Sequence, residues 1–166
     1  MKTIIYNAIS IDGFIATPDD EAKFVSEIEW KSFRAKIKEC GNLIVGRRTY
    51  DLMKEAGEIE KTFMVVLTKK RFKEDGVNCA LSPAEAISLV EKHGCKTALL
   101  GGGGLANGAF LEAGLVDEIF LDVEPAVLGA GIKLFEGMKV EKKLKLIETK
   151  KLSRDEIQLH YKVVKN

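Results

Sequence analysis

The order of elements in this sequence predicts an α/β fold: a central mixed, mostly parallel β-sheet, helices on both faces, and antiparallel strands in the carboxy-terminal part. Three observations predict it. Short apolar runs alternate with amphipathic helical stretches from Lys2 to Val123. Two of these runs, ending at Gly46 and at Leu100, pass straight into helix starts, as strand-to-helix units of a parallel sheet do. Beyond Pro125 the helical period disappears and two alternating segments remain.

Each element follows from local chemistry. Lys2 to Ser10 is rich in Ile and reads as a first strand with too many β-branched residues to be loop, ended by the turn residues Asp12-Gly13. From Asp19 to Glu39 the pattern turns helical, with Trp30, Phe33, Ile37 and Cys40 on one face. Asn42 to Gly46 is a buried strand feeding the helix RRTYDLMKEA at Arg47. Thr62 to Thr68 and Val77 to Leu81 are further strands. Ser82-Pro83-Ala84-Glu85 carries a Ser N-cap, Pro at the first helical position and Glu three residues after the cap, and the helix it opens stops at His93-Gly94. Thr97 to Leu100 is a strand running into four glycines, Leu105 to Ala113 a helix, and Val116 to Val123 a strand ending at Glu124-Pro125. Lys145 to Lys151 and Glu156 to Val164 alternate like paired strands.

The 166 residues hold 26 Lys plus Arg against 25 Asp plus Glu, which spreads a net charge of +1 along one chain with no linker or repeat. One domain, residues 1–166, is expected. Phosphodiester backbones are gripped by concentrated basic surface, so nucleic acid is not an expected partner. No apolar stretch approaches the roughly 20 residues that span a bilayer, and no secretory leader opens the chain, so a cytoplasmic location without membrane attachment is expected. Cys40, Cys79 and Cys95 are odd in number and widely spaced, which suits reduced packing residues and supplies no metal clamp.

The chemistry concentrates where strands end. In LLGGGGLANGAFL, Gly101 to Gly104 with Leu105 join a strand to a helix start, where unpaired backbone N–H groups and missing side chains make a pyrophosphate cradle. A P-loop would need Gly-Lys-Ser/Thr, which is missing here. Gly101-x-Gly103-x-x-Ala106 meets the looser dinucleotide fingerprint, with Asp122 about 20 residues on, although the strands that follow do not complete a second doubly wound unit. Gly46-Arg47-Arg48-Thr49 puts two guanidiniums and a hydroxyl at another helix start, and Thr68-Lys69 with Lys70 and Arg71 puts a hydroxyl and cations at a third strand end. Anion-binding groups at three carboxyl ends suggest a dinucleotide with an extra phosphate, NADPH. Asp122 and Glu124 are two apart on a strand and share a face, where carboxylates are costly to bury without a ligand or donor, and Asp12 either caps its turn or meets a heterocycle. These three acids are the catalytic candidates. His93 and His160 read as structural.

The segments SIDGFIA (10–16), LIVGRRTYD (43–51) and LLGGGGLANGAFLEAGLVDEIFLDVEPAVLGAG (99–131), followed by KLF, resemble the dihydrofolate-reductase-like superfamily, nearest to the carboxy-terminal reductase domain of the riboflavin-biosynthesis deaminase/reductase, RibD. The resemblance covers nearly the whole chain and implies a dihydrofolate-reductase-like architecture. It implies that Gly46 to Thr49 and Thr68-Lys69 hold the adenosine-side phosphates, that Gly101 to Leu105 hold the pyrophosphate, and that the nicotinamide lies near Ala8 and Ile15. In true dihydrofolate reductases a buried acid opens the first long helix; alignment on the G-R-x-T loop puts Trp30 there, with Glu27 and Glu29 out of register, which counts against folate as substrate.

The expected activity is NADPH-dependent hydride transfer to a C=N or carbonyl group of a small heterocycle or ribosylamino-pyrimidine, without a metal. The cofactor carries the hydride chemistry, so no nucleophile is required. Dihydrofolate reduction and a non-catalytic dinucleotide-binding or dimerising domain are the alternatives. A homodimer is also expected, because relatives pair through the carboxy-terminal part of the sheet. Val116 to Gly131, with its Leu128-Gly129-Ala130-Gly131 run, offers the surface that would cover an exposed edge.

Overall fold

The computed structural model describes residues 1–57 and 61–165. Along the chain run β1 (Lys2–Ile9), β2 (Phe14–Ala16), α1 (Glu27–Cys40), β3 (Asn42–Gly46), α2 (Arg47–Glu55), β4 (Phe63–Leu67) and β5 (Val77–Ala80). There follow α3 (Pro83–Lys92), β6 (Thr97–Leu100), α4 (Gly104–Glu112), β7 (Glu118–Val123), β8 (Ile132–Lys133), β9 (Leu144–Lys151) and β10 (Ile157–Val163). The main sheet has the order β5-β4-β3-β6-β1-β7-β10-β9. Its first six strands are parallel; β10 adds antiparallel to β7, and β9 antiparallel to β10.

Period-two alternation in buried strands divides the core between the two faces. Ile4, Tyr6, Leu43, Val45, Met64, Val66 and Leu99 pack with Ile37 and Cys40 of α1 and Tyr50 of α2. Their neighbours Ile5, Ile44, Val65, Ala98 and Leu100 point the other way, onto Ala86 and Val90 of α3 and Ala106, Phe110 and Leu111 of α4. The α/β fold read from the sequence, with β1 inside the sheet and an antiparallel carboxy-terminal pair, is the one observed.

Two boundaries differ from the sequence reading. The first helix starts at Glu27 and not at Asp19, because Ser26 takes the N-cap, its side chain accepting from the Glu29 amide. The preceding residues are held as a turn by Thr17, whose hydroxyl donates to Asp19 and accepts from the Glu21 amide, and by Asp20 in the left-handed region at φ 64. The strand around Val116 to Val123 is no edge: β7 is bonded to β1 on one side and β10 on the other. The edges of the sheet are β5 and β9, and all residues of β9 are exposed. The cysteines are free thiols, Cys40 buried and the others half-buried. No described helix is long and apolar enough to cross a membrane.

Candidate active site

Neighbouring β3 and β6 each deliver a helix at their carboxyl ends, so the amino termini of α2 and α4 stand side by side. The Gly101 amide donates to the Ile44 carbonyl, and the Gly46 amide to the Gly102 carbonyl, each at 2.9 Å. Both helices begin with glycine N-caps, Gly46 and Gly103, that offer no capping side chain, whereas Ser26 and Ser82 cap α1 and α3. The first-turn N–H groups of α2 and α4 therefore lack a side-chain acceptor and present two positive dipole ends to one place. A Cβ on Gly103 would lie 3.1 Å from the Thr49 hydroxyl, so Gly46, Thr49, Gly102 and Gly103 lie together.

The remaining cofactor candidates divide. Gly104 is bare for packing: a Cβ there would stand 2.4 Å from the Lys133 carbonyl, and its own carbonyl accepts from the Glu136 amide. Leu105 is exposed. Ala8 on β1 and Ile15 on β2 are half-buried. The Thr68 hydroxyl turns onto the Lys70 carbonyl and Lys69 is exposed at the end of β4. The two arginines part company: Arg47 donates through Nε to both oxygens of Asp51 at 2.9 Å with its guanidinium 4.0 Å over the Phe72 ring, while Arg48 pairs with Asp20. A clamp made of both needs the Arg47–Asp51 and Arg48–Asp20 pairs to open.

Beyond β1 the site turns acidic. Ala8 lies opposite Asp122 in the ladder. Asp122, 1% exposed, accepts from the Tyr6 hydroxyl at 2.6 Å and Gln158 Nε2 at 2.7 Å, and Ser32 also bonds the Tyr6 hydroxyl. Glu124 accepts from the Ser26 amide at 3.1 Å, tying the end of β7 to the start of α1. Glu156, from the turn before β10, faces Glu124, and its Oε2 is buried without a partner. Glu29 is 4% exposed, and among the described residues its carboxylate has no donor. Burial raises its pKa to about 8, with the charges of Asp122, Glu124 and Glu156 adding to the effect. Burial likewise lifts Asp122 and Glu124, and Tyr6 is pushed up by burial and by Asp122.

These placements change the reading of the acids. The oxygens of Asp122 are taken by protein donors, and Glu124 closes the α1 terminus. Asp12 is exposed and accepts from the Ser10 hydroxyl and the Leu128 and Gly129 amides, which hold it below the usual carboxylate range and fix the 128–129 loop. Glu29, set aside in favour of Trp30, is the buried acid at the start of α1. The Ser26 cap sets the helical phase, so Glu29 shares the inward face with Phe33, Ile37 and Cys40, while Trp30 is only half-buried under the Arg34 guanidinium. The i, i+4, i+8 spacing of Glu29, Phe33 and Ile37 was the available signal. Phe33 joins the two halves: its Cζ is 2.9 Å from where a Gly101 Cβ would be, and its ring is 5.5 Å from that of Tyr6. Among the described residues no group of three or more His, Cys, Asp or Glu is arranged to hold a metal.

Comparison with known proteins agrees with this architecture. Over 170 residues the chain is 31% identical to the uncharacterized protein YwjB of Bacillus subtilis (strain 168), covering 96% of this chain and 97% of that one. Among solved structures, a Shewanella sp. PV-4 protein assigned provisionally to riboflavin biosynthesis matches with a TM-score of 0.83 at 22% identity, covering 99% and 100% of the two chains. The diaminohydroxyphosphoribosylaminopyrimidine deaminase/5-amino-6-(5-phosphoribosylamino)uracil reductase of Thermotoga maritima matches at 0.76 and 17%, covering 98% of this chain and 56% of that one. The profile of the RibD C-terminal domain family matches residues 53–157, well over half the sequence, and this chain belongs to that family.

Proposed function

We propose that this protein is a single-domain cytoplasmic NADPH-dependent reductase that delivers hydride to a C=N or carbonyl group of a small heterocycle. The observation that carries the reading is the pair of glycine-capped helix termini at the ends of β3 and β6, which leaves backbone donors for a pyrophosphate. Gly46, Thr49, Gly102 and Gly103 hold that group. Arg47, Arg48, Thr68 and Lys69 lie at neighbouring strand ends, within the same edge, and meet the adenosine-side phosphate. When bound, the nicotinamide supplies the hydride. Ala8 and Ile15 flank it, and Phe33 and Tyr6 position the acceptor ring between the glycines and Glu29. No nucleophile is needed, so the chain's work is orientation and exclusion of water.

The test has two arms. NADPH should quench or shift Trp30 fluorescence and raise the melting temperature of the protein. NADPH oxidation should then be supported by a heterocycle, assayed with the phosphoribosylamino-pyrimidine and with dihydrofolate. The buried Glu29 strengthens the case for dihydrofolate, the alternative substrate from the sequence, in that panel. Absence of both cofactor responses would favour a non-catalytic domain.

A further inference from the structure

An asparagine buried in an apolar helix needs a physical reason. Asn107 lies on α4 among the buried residues Ala106, Gly108, Phe110 and Leu111, and is itself 0% exposed. Asparagine is a weaker helix former than alanine or leucine, and its amide is costly to bury unbonded. The Asn107 Nδ2 donates to Asn7 Oδ1 at 2.8 Å and to the Leu134 carbonyl at 3.0 Å, while its own Oδ1 is buried without a partner. That orphan acceptor counts against a role in packing alone, because an apolar side chain of similar volume fills the place without it. Asn7, half-buried on β1 next to Ala8, carries the connection onward, its Nδ2 donating to the Gly101 carbonyl at 3.3 Å. The same nitrogen stands 2.8 Å from where a Cβ on Gly102 would be, so the glycine loop is laid over the Asn7 amide. At the far end, Leu134 follows β8, which pairs with β2, and its amide donates to the Gly13 carbonyl at 3.4 Å. A relay of hydrogen bonds thus joins Gly101, Asn7, Asn107, Leu134 and Gly13, from the loop after β6 to the turn that leads into β2 and Ile15.

We propose that Asn7 and Asn107 are positioning residues for the nicotinamide half of the cofactor site. This rests on the reading of the glycine loop as the cofactor's seat. The two bonded amides set the spacing between the Gly101–Gly103 loop and β2, the walls that hold the nicotinamide near Ala8 and Ile15. Hydride transfer is sensitive to such spacing, since a displacement of about 1 Å costs on the order of a hundredfold in rate. Arg47, Arg48, Thr68 and Lys69 have no part in the relay, so the adenosine end answers separately.

Titration of the full chain by calorimetry and Trp30 fluorescence tests this with NADPH and with 2′,5′-ADP, which carries the adenosine end and lacks the nicotinamide. Asn107→Leu keeps the side-chain volume and removes both donors, and Asn7→Ala removes the middle of the relay at a half-buried position. NADPH should bind at least about tenfold more weakly to either variant, as expected for a broken buried hydrogen bond, with 2′,5′-ADP within about threefold of the parent. Both titrations are made well below the melting temperature of each variant, where a merely structural role leaves the affinity of the folded protein unmoved. Unchanged NADPH affinity in the folded variants, or equal losses for the two ligands, would overturn the proposal. If Asn107→Leu does not fold, Asn7→Ala decides. NADPH binding to the parent with no loss in the variants sinks this inference alone, whereas a parent that binds neither ligand sinks the reductase reading and this inference together.

Discussion

Glu29 is the residue on which most depends. Its carboxyl titrates near 4.5 in an unfolded chain and near 8 in the folded protein, so the folded state holds its proton across that interval. The stability contributed by the neutral acid is fully present below 4.5 and is lost as pH rises through 8. Glu29→Gln is therefore expected to raise stability by about 2 to 4 kcal/mol at pH 9 and to change it little at pH 5, read from paired urea denaturation curves. A variant with the same pH profile as the parent would mean that Glu29 is not buried as a neutral acid. On the cofactor side, replacing Arg47 and Arg48 together by Ala should weaken NADPH by roughly 2 to 4 kcal/mol and leave NADH nearly unchanged. Equal losses would assign the arginines to the pyrophosphate or to their partners Asp51 and Asp20. The sequence showed Asp122 and Glu124 as acids on one sheet face, since strand alternation is a local property. It did not show that Gln158, distant along the chain, would fill Asp122 and leave Glu29 as the acceptor without a donor.

Elements were legible wherever a cap or a period marked them. Ser82 with Pro83 fixed the start of α3, and Ser82→Ala should cost about 1 kcal/mol in a denaturant titration. The start of α1 was misread because the polar run after Asp19 keeps a helical composition while Thr17 and Asp20 fold it into a turn. Strands β2 and β8, three and two residues long, are too short to show any period. The glycines of α4 separate by what lies against them. Gly108→Ala would drive a Cβ to 2.0 Å from the Glu136 carbonyl and should cost several kcal/mol, enough to lose the fold. Gly103→Ala meets the Thr49 hydroxyl at 3.1 Å at an extended φ, and should fold while binding NADPH more weakly, a contrast visible in thermal shifts with and without cofactor.

At the scale of the molecule the alternation of strands and helices revealed the layers, but not the strand order, because pairing joins segments far apart in sequence. The exposed edge is a case in point. It lies at β9, where Leu144, Leu146 and Ile147 face solvent, and not at the Val116 to Gly131 stretch. An exposed edge on which Leu144, Leu146 and Ile147 stand among lysines can pair only where those three side chains meet a partner, so a homodimer joined through the Leu144–Ile147 half of β9 is expected. Sedimentation should give a dimer at micromolar concentration that Leu146→Lys dissociates and Leu128→Glu does not; a monomeric parent would refute it. The central place of β1, between β6 and β7, also bears on synthesis. It is translated before its partners, residues 97–100 and 118–123, which follow by roughly a hundred residues. A nascent chain arrested before Thr97 carries Ile4, Ile5 and Tyr6 without either ladder that hides them, and is for that interval a substrate for chaperones rather than a folded half-protein.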